Sequence, residues 1–129
     1  MVEYRFPYKL RDGKTFPMIP VSVGYGRKRW DIYALLDSGA SISLFTRELG
    51  EKIGLDIEKG IKDDLGGIGN GMVVYKHKIN LKVRDEIFKI EAAFSKERFF
   101  DINIIGRKDV FNKMNITFIC DKEIILDII

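Results

Sequence analysis

Few side chains in this sequence are of a type and in a setting to do chemistry. Asp37 is the first. In the stretch "YALLDSGASISLF" an apolar run ends on one carboxylate, followed by Ser38, Gly39, Ala40 and Ser41, before apolar residues resume. An isolated carboxylate is costly to remove from water, so its charge must be shared or satisfied. One solution is a cap, in which the carboxylate accepts backbone N–H bonds in a turn. A second is a metal ligand. The third is half of a pair of acids. Two carboxyl groups held close share one proton because both cannot easily ionise. One then acts as base toward a water and the other as acid. Taken alone, an Asp-Ser-Gly reads as a cap.

The other candidates are weaker. The chain has one histidine, His77, and one cysteine, Cys120, and its acids are scattered. No metal site or other cofactor is therefore expected. A Ser-His-Asp hydrolase would have to use His77, and Ser38 lacks the G-x-S-x-G elbow. His77 stands in an alternating strand pattern and reads as a surface or packing residue. The cluster "GGIGNG" contains Gly67, Gly69 and Gly71 in G-x-G-x-G order and leads into a strand. A dinucleotide fingerprint needs G-x-G-x-x-G opening a helix. The cluster fits a glycine-rich hairpin tip better, since glycine admits positive φ.

The elements that must position these residues are mostly strands. "FPMIPVSVGY" alternates with Ile19, Val21 and Val23, and "WDIYALLD" follows after a turn over Gly24–Arg29. "TRELGEKIGLDI" changes to helical spacing through Leu49, Ile53 and Leu55, with Thr46 as its cap and Gly54 as its stop. Val73, Tyr75, His77, Ile79, Leu81 and Val83 then fall at period two. A turn at Arg84–Glu86 leads into "DEIFKIEAAF". "FFDINIIG" is apolar and ends at Gly106, "RKDVFNKM" reads as a short helix, and "ITFICD" with "EIILDII" closes the chain as a hairpin. Cys120, inside that strand-like run, reads as a small buried hydrophobe.

With 129 residues the chain is long enough for one domain. No apolar run reaches the length of a membrane span, and "MVEYRFPYKL" lacks the apolar segment of a signal peptide. The lone cysteine suits a reducing compartment, so a cytoplasmic protein with no membrane partner is expected. Net charge is +3, with seven basic and two acidic residues in positions 1–30, hence +5 there and −2 elsewhere. The densest basic patch, "GRKRW", raises a nucleic-acid reading. Three clustered charges are too few for a binding stripe, and a solvated hairpin turn accounts for them; a nucleic-acid partner is disfavoured.

Two further features bear on Asp37. "ALLDSGAS" resembles the D-[ST]-G signature of aspartic proteases. "GGIGNGMVVYK" resembles the glycine-rich flap of retroviral proteases and lies about 30 residues downstream, where such a flap belongs. "INIIGRKDVF" resembles their apolar-apolar-Gly segment with its Arg and short helix. Order and spacing agree over roughly residues 17–129. The chain thus resembles the retropepsin-like, single-domain aspartic proteases, and residues 1–129 are read as one such domain. That resemblance implies an all-β, closed acid-protease-type barrel with a flap hairpin and one or two short helices.

It also implies a homodimer. Only one D-S-G occurs, so a two-fold axis would bring Asp37 against Asp37 of a second copy. The implied roles follow by position. Asp37 activates water, Ser38 holds the two strand ends together, and Gly39 lets substrate backbone approach. Gly67, Ile68 and Gly69 form the flap tip over a peptide or protein substrate, and Ala40, Ile104 and Ile105 line or support the cleft. The implied activity is endopeptidase cleavage of extended, largely apolar segments. A non-catalytic, protease-like module that binds peptides or assembles partners is the alternative. Ser41 departs from the family, whose viral members often carry an acid there paired with the Arg that Arg107 matches. Arg107 must find another partner. The final "EIILDII" reads either as interface strands or as a core strand of one subunit.

Overall fold

The computed structural model describes residues 2–65, 71–98 and 100–129. Twelve strands, one short α-helix and one 3-10 turn make up the described chain. The central hairpin is β4 (Met18–Tyr25) and β5 (Lys28–Leu36). It turns through Gly26, whose φ of 60° suits a residue without a side chain. The "GRKRW" patch is this turn, with Arg27, Lys28 and Arg29 exposed around it. Lys52 lies 4.1 Å from the Trp30 ring centroid and covers part of the exposed indole.

β6 (Ser43–Phe45), β7 (Ile61–Leu65), β8 (Met72–Val83), β9 (Glu86–Ser95) and β10 (Ile104–Ile105) complete a sheet ordered β4-β5-β10-β6-β9-β8-β7. A further pairing of β4 with β8 through Ser22↔Lys82 and Gly24↔Asn80 closes six of these strands into a barrel. Closure removes the open edges that a free sheet would present. β7 stays outside the ring, paired only with β8 from Ile61↔Lys76 to Leu65↔Met72.

Alternation explains what fills the barrel. Ile19, Val21, Val23, Ala34, Leu36, Ile79, Leu81, Val83, Phe88 and Ile90 are buried. β8 departs from strict period two at its start, where Val74 and Tyr75 are both buried. Val74 belongs to a second small cluster with Ile42 and Ala93, against which Leu44, Leu65 and Met72 pack. Here the strand has apolar neighbours on both faces.

Helix α1 (Arg47–Lys52) starts where expected: the Thr46 hydroxyl accepts the Leu49 N–H at 3.2 Å, and Gly54 stops it at φ 87°. Its Leu49 and the following Ile53 and Leu55 are buried. Arg47 ties the helix to Glu51 and to Glu58 in the 3-10 turn Ile57–Lys59, and Arg98 reaches Glu51 at 2.7 Å. The Arg98 hydrogen bond holds the Glu51 carboxyl below the usual carboxylate range, and Arg47 does the same for Glu58. His77 is a packing residue: its Nε2–H donates to the Ile57 carbonyl at 2.8 Å and its ring meets Phe94 edge-on.

Two expectations fail. "RKDVFNKM" forms consecutive turns rather than a helix, because Asp109 takes φ 64° and its carboxylate accepts the Glu91 N–H at 2.8 Å. A residue in the left-handed region cannot continue a right-handed helix. Cys120 is exposed, not buried. The strand stops at Ile119, and Cys120 and Asp121, at φ 50° and 54°, make the turn.

The chain ends build a separate three-stranded sheet. β1 (Val2–Pro7) and β11 (Met114–Ile119) flank β12 (Glu123–Ile128), both antiparallel to it. "EIILDII" is thus a core strand of its own subunit, with Ile124, Leu126 and Ile128 buried beside Phe6. Between β1 and β4 a small hairpin, β2 (Lys9–Arg11) and β3 (Lys14–Phe16), lays Lys9 over Tyr33. Leu126→Ala should cost ~2–5 kcal/mol, the usual cost for a buried leucine. Urea denaturation measures it; a loss below ~1 kcal/mol would mean the terminal sheet is not part of the cooperative core.

Candidate active site

Asp37 emerges from the end of β5, and a short strand fixes where. β10 lies between β5 and β6, parallel to the first through Ile104↔Leu35 and Ile105↔Leu36, antiparallel to the second through Ile104↔Leu44. On one side the Leu36 N–H reaches the Pro17 carbonyl at 3.0 Å. On the other the Asp37 N–H donates to the Ile105 carbonyl at 3.0 Å. The chain then reverses. Ala40 N–H bonds back to the Asp37 carbonyl at 3.2 Å, and Gly39 N–H donates to Asp37 Oδ1 at 2.9 Å. The cap reading of the sequence is therefore met, yet it occupies one oxygen only. Asp37 is half-buried and has no ion-pair partner among the described residues.

The turn is clamped from the far side by the segment after β10. Arg107 N–H donates to the Ala40 carbonyl at 2.9 Å and Lys108 N–H to the Ser41 carbonyl at 3.0 Å. The Arg107 guanidinium donates to the Ser38 carbonyl at 2.5 Å. This is the partner Arg107 finds with Ser41 in place of an acid. Ser38 is exposed, and its carbonyl rather than its hydroxyl carries this tie. Gly106 N–H donates to the Ser43 hydroxyl at 3.1 Å, a buried bond. A Cβ on Gly106 would stand 2.4 Å from the Ile42 carbonyl group, so only glycine lets the two segments approach this closely.

Of the other expected site residues, Ala40 and Ile104 are half-buried beside Asp37, and Ile105 is buried in the main core. Ile105 therefore supports the site from beneath. Gly67, Ile68 and Gly69 lie outside the described residues, while the strands that lead to and from them pair as a hairpin. Ile42 sits in the same apolar cluster as Leu65 and Met72, so the Asp37 turn and that hairpin share a footing. Among the described residues no group of three or more His, Cys, Asp or Glu side chains is placed to hold a metal ion.

Two contributors were not singled out from sequence. Asn103 accepts the Leu35 N–H at its carbonyl (2.9 Å) and the Thr46 N–H at its side-chain oxygen (3.1 Å), joining β5 to the helix cap. Ser43 is completely buried and receives Gly106. The signal in both cases is a lone polar residue inside an apolar stretch, which must have a partner when buried.

No family model and no curated protein sequence matches the chain. Solved structures do. Over 98% of its length the chain is similar to a retropepsin-like aspartic protease from Rickettsia conorii, covering 91% of that chain at a TM-score of 0.76 and 22% identity. The fold is that of the retropepsin-like aspartic proteases. The EIAV protease complexed with the inhibitor HBY-793 is also similar, at a TM-score of 0.55 and 19% identity, over 77% of this chain and 88% of that one. The retropepsin-like fold thus survives here at low identity, since a closed barrel needs patterned apolar residues more than particular ones.

Gly106→Ala should destabilise the protein by at least ~1–3 kcal/mol, because the backbone of Ala40 and Ile42 leaves no room for the methyl. Asn103→Ala should cost ~1–3 kcal/mol through the orphaned Thr46 N–H. Thermal or urea unfolding reads both, and near-neutral values would show that the strut tolerates slack.

Proposed function

We propose that this chain is an aspartic endopeptidase acting as a homodimer, a single retropepsin-like unit over residues 1–129, with Asp37 from each subunit forming the catalytic pair. The observation that carries the reading is the carboxylate itself. It sits on a rigid turn, oriented through one oxygen by Gly39 N–H, and no cation of the described chain neutralises it. A two-fold axis at the turn would supply the missing half as a second, identical carboxylate. The pair would hold one proton between them, and its apparent pKa values would belong to the pair. The ionised member removes a proton from water as it attacks the peptide carbonyl. The neutral member donates to the carbonyl oxygen, and a carboxyl then protonates the leaving nitrogen.

The concave surface of the single chain fits half a site. One opening, about 840 Å³ between Pro20, Ser22, Arg29, Asp31, Lys82 and Arg84, is not lined by Asp37. A cleft shared by two subunits is not a cavity of either. The β7–β8 hairpin, with Gly67, Ile68 and Gly69 at its tip, would close over an extended substrate bound through its backbone. Ala40 and Ile104 would face that substrate, and Ser38 would join the two strand ends across the axis.

Digestion of a mixed peptide library by wild type and Asp37→Asn, with the mass in solution, tests the reading. Turnover should fall at least ~10²–10⁴-fold in the variant, the usual worth of a general acid–base group. Its melting should be unchanged. Retained cleavage would remove Asp37 from the chemistry, and a wild-type dimer without turnover would leave a peptide-binding module. The pH profile should be bell-shaped with an acidic optimum, falling at high pH as the shared proton is lost and at low pH as both acids protonate. A rate that keeps rising into alkaline pH would contradict a shared proton.

A further inference from the structure

The outer face of the barrel carries a trough that the chemistry at Asp37 does not use. β4 lies between β5 and β8, and the registers Ser22↔Asp31 and Ser22↔Lys82 set these three residues in one row across the sheet. Gly24↔Arg29 and Gly24↔Asn80 make the row on one side. Pro20↔Tyr33 belongs to the row on the other, with Arg84 just past the end of β8. Residues two apart on a strand share a face. The outward residues of β4 are therefore Pro20, Ser22 and Gly24, all short, between longer side chains on β5 and β8. That difference in size makes the trough, and the opening of about 840 Å³ lies over it.

Its lining is charged and unbalanced. Arg29, Lys82 and Arg84 are cations and Asp31 is the one acid, so three positive charges against one negative leave +2. None of the three cations has an ion-pair partner among the described residues. Elsewhere Arg47, Lys76, Arg98 and Lys108 all hold carboxylates. Two of the trough cations are nevertheless posed. Arg29 Nε–H donates to the Ser22 hydroxyl at 3.2 Å, and its side chain lies across Gly24, where a Cβ would stand 2.8 Å from Nη1. The Arg84 guanidinium carbon is 4.5 Å from the Phe6 ring centroid, and Nη2–H donates to the Arg5 carbonyl at 3.4 Å. Like charges around one concave surface repel one another and raise the local potential. A bound anion relieves both.

We propose that this trough is a docking site for an extended acidic peptide segment, at a place that Asp37 does not line. Spacing and Asp31 choose the occupant. Successive rows lie about 6.7 Å apart, twice the rise of a strand residue. The cations therefore project at the interval of alternate side chains in an extended peptide laid along β4. A nucleic-acid strand is also a polyanion, but Asp31 in the middle row would face its phosphates. A peptide backbone instead brings N–H groups for the Asp31 carboxylate to accept. Three cations are also few for the counterion release that drives nucleic-acid binding.

The test is made in the Asp37→Asn chain, so that neither cleavage nor its absence bears on the result. A labelled octapeptide alternating Glu and Ser is titrated and its binding read by anisotropy, beside a Lys-Ser octapeptide and a single-stranded oligonucleotide. The acidic peptide should bind saturably and more weakly as salt rises. Arg29→Gln and Lys82→Gln should each lower its affinity at least ~10-fold, the usual worth of a hydrogen bond to a charged group. Arg29 is exposed and Lys82 half-buried, so circular dichroism and melting should hold; if one variant unfolds, the other decides. Trp30, the only tryptophan of the chain and part of the lining, should change its fluorescence at saturation. No binding of the acidic peptide at low salt overturns the site. Equal binding of the Lys-Ser peptide overturns recognition by charge. Binding that is unaltered in both variants and silent at Trp30 overturns the location. Tighter binding of the oligonucleotide than of the acidic peptide overturns the occupant.

Discussion

The carbonyl of Ile105 accepting the Asp37 N–H is the contact on which the site depends. β10 has only two residues, yet it is bonded on both sides and continues into the segment that clamps the Asp37 turn. Without it β5 and β6 would have no common neighbour, and the loop between them would have no fixed direction. With it, the turn is held at Asp37, Ala40 and Ser41 by backbone bonds and at Ser38 by the Arg107 side chain. Backbone groups dominate this clamp, so its geometry depends little on side-chain identity except where a side chain would intrude. Gly106 is that exception.

The same economy governs the polar groups beneath the turn. Among the described residues no buried side-chain nitrogen or oxygen lacks a partner. The side chains of Ser43, Asn103 and Thr46 each accept one backbone N–H; the first two join separate segments and the third caps the helix. A buried polar group without a partner costs more than a made bond gains, so such residues specify one arrangement rather than merely stabilising it. The apolar cluster of Ile42, Val74 and Ala93 adds a second constraint, coupling the turn to the hairpin that carries the glycine-rich stretch.

The proposed dimer turns an apparent weakness of the chain into a requirement. A half-buried carboxylate with one oxygen satisfied and no ion-pair partner among the described residues is poorly placed for a lone structural role. Opposed to its copy, it gains a proton to share.

Much of this was legible in residue order. Alternation along Ile19–Val23 and Ile79–Val83, the capped helix after Thr46 and the hairpin under "GRKRW" are local patterns whose period alone names the element. The D-S-G after an apolar run and the glycine cluster before a strand were likewise visible, because special backbone positions demand special residues. What failed or stayed open were features decided by a neighbour distant in sequence. Asp109 gives up its helix to bond Glu91, and β12 is internal because β1 returns to cover it. Cys120 leaves the strand because the hairpin must turn somewhere, and a strand-like composition does not say where. By itself the sequence determined most strands of the barrel and that one acid ends one of them. Only the tertiary structure decided that β10 would thread between β5 and β6 and that Arg107 would hold Ser38. Those outcomes depend on which segments meet in space, and the local pattern carries no record of it.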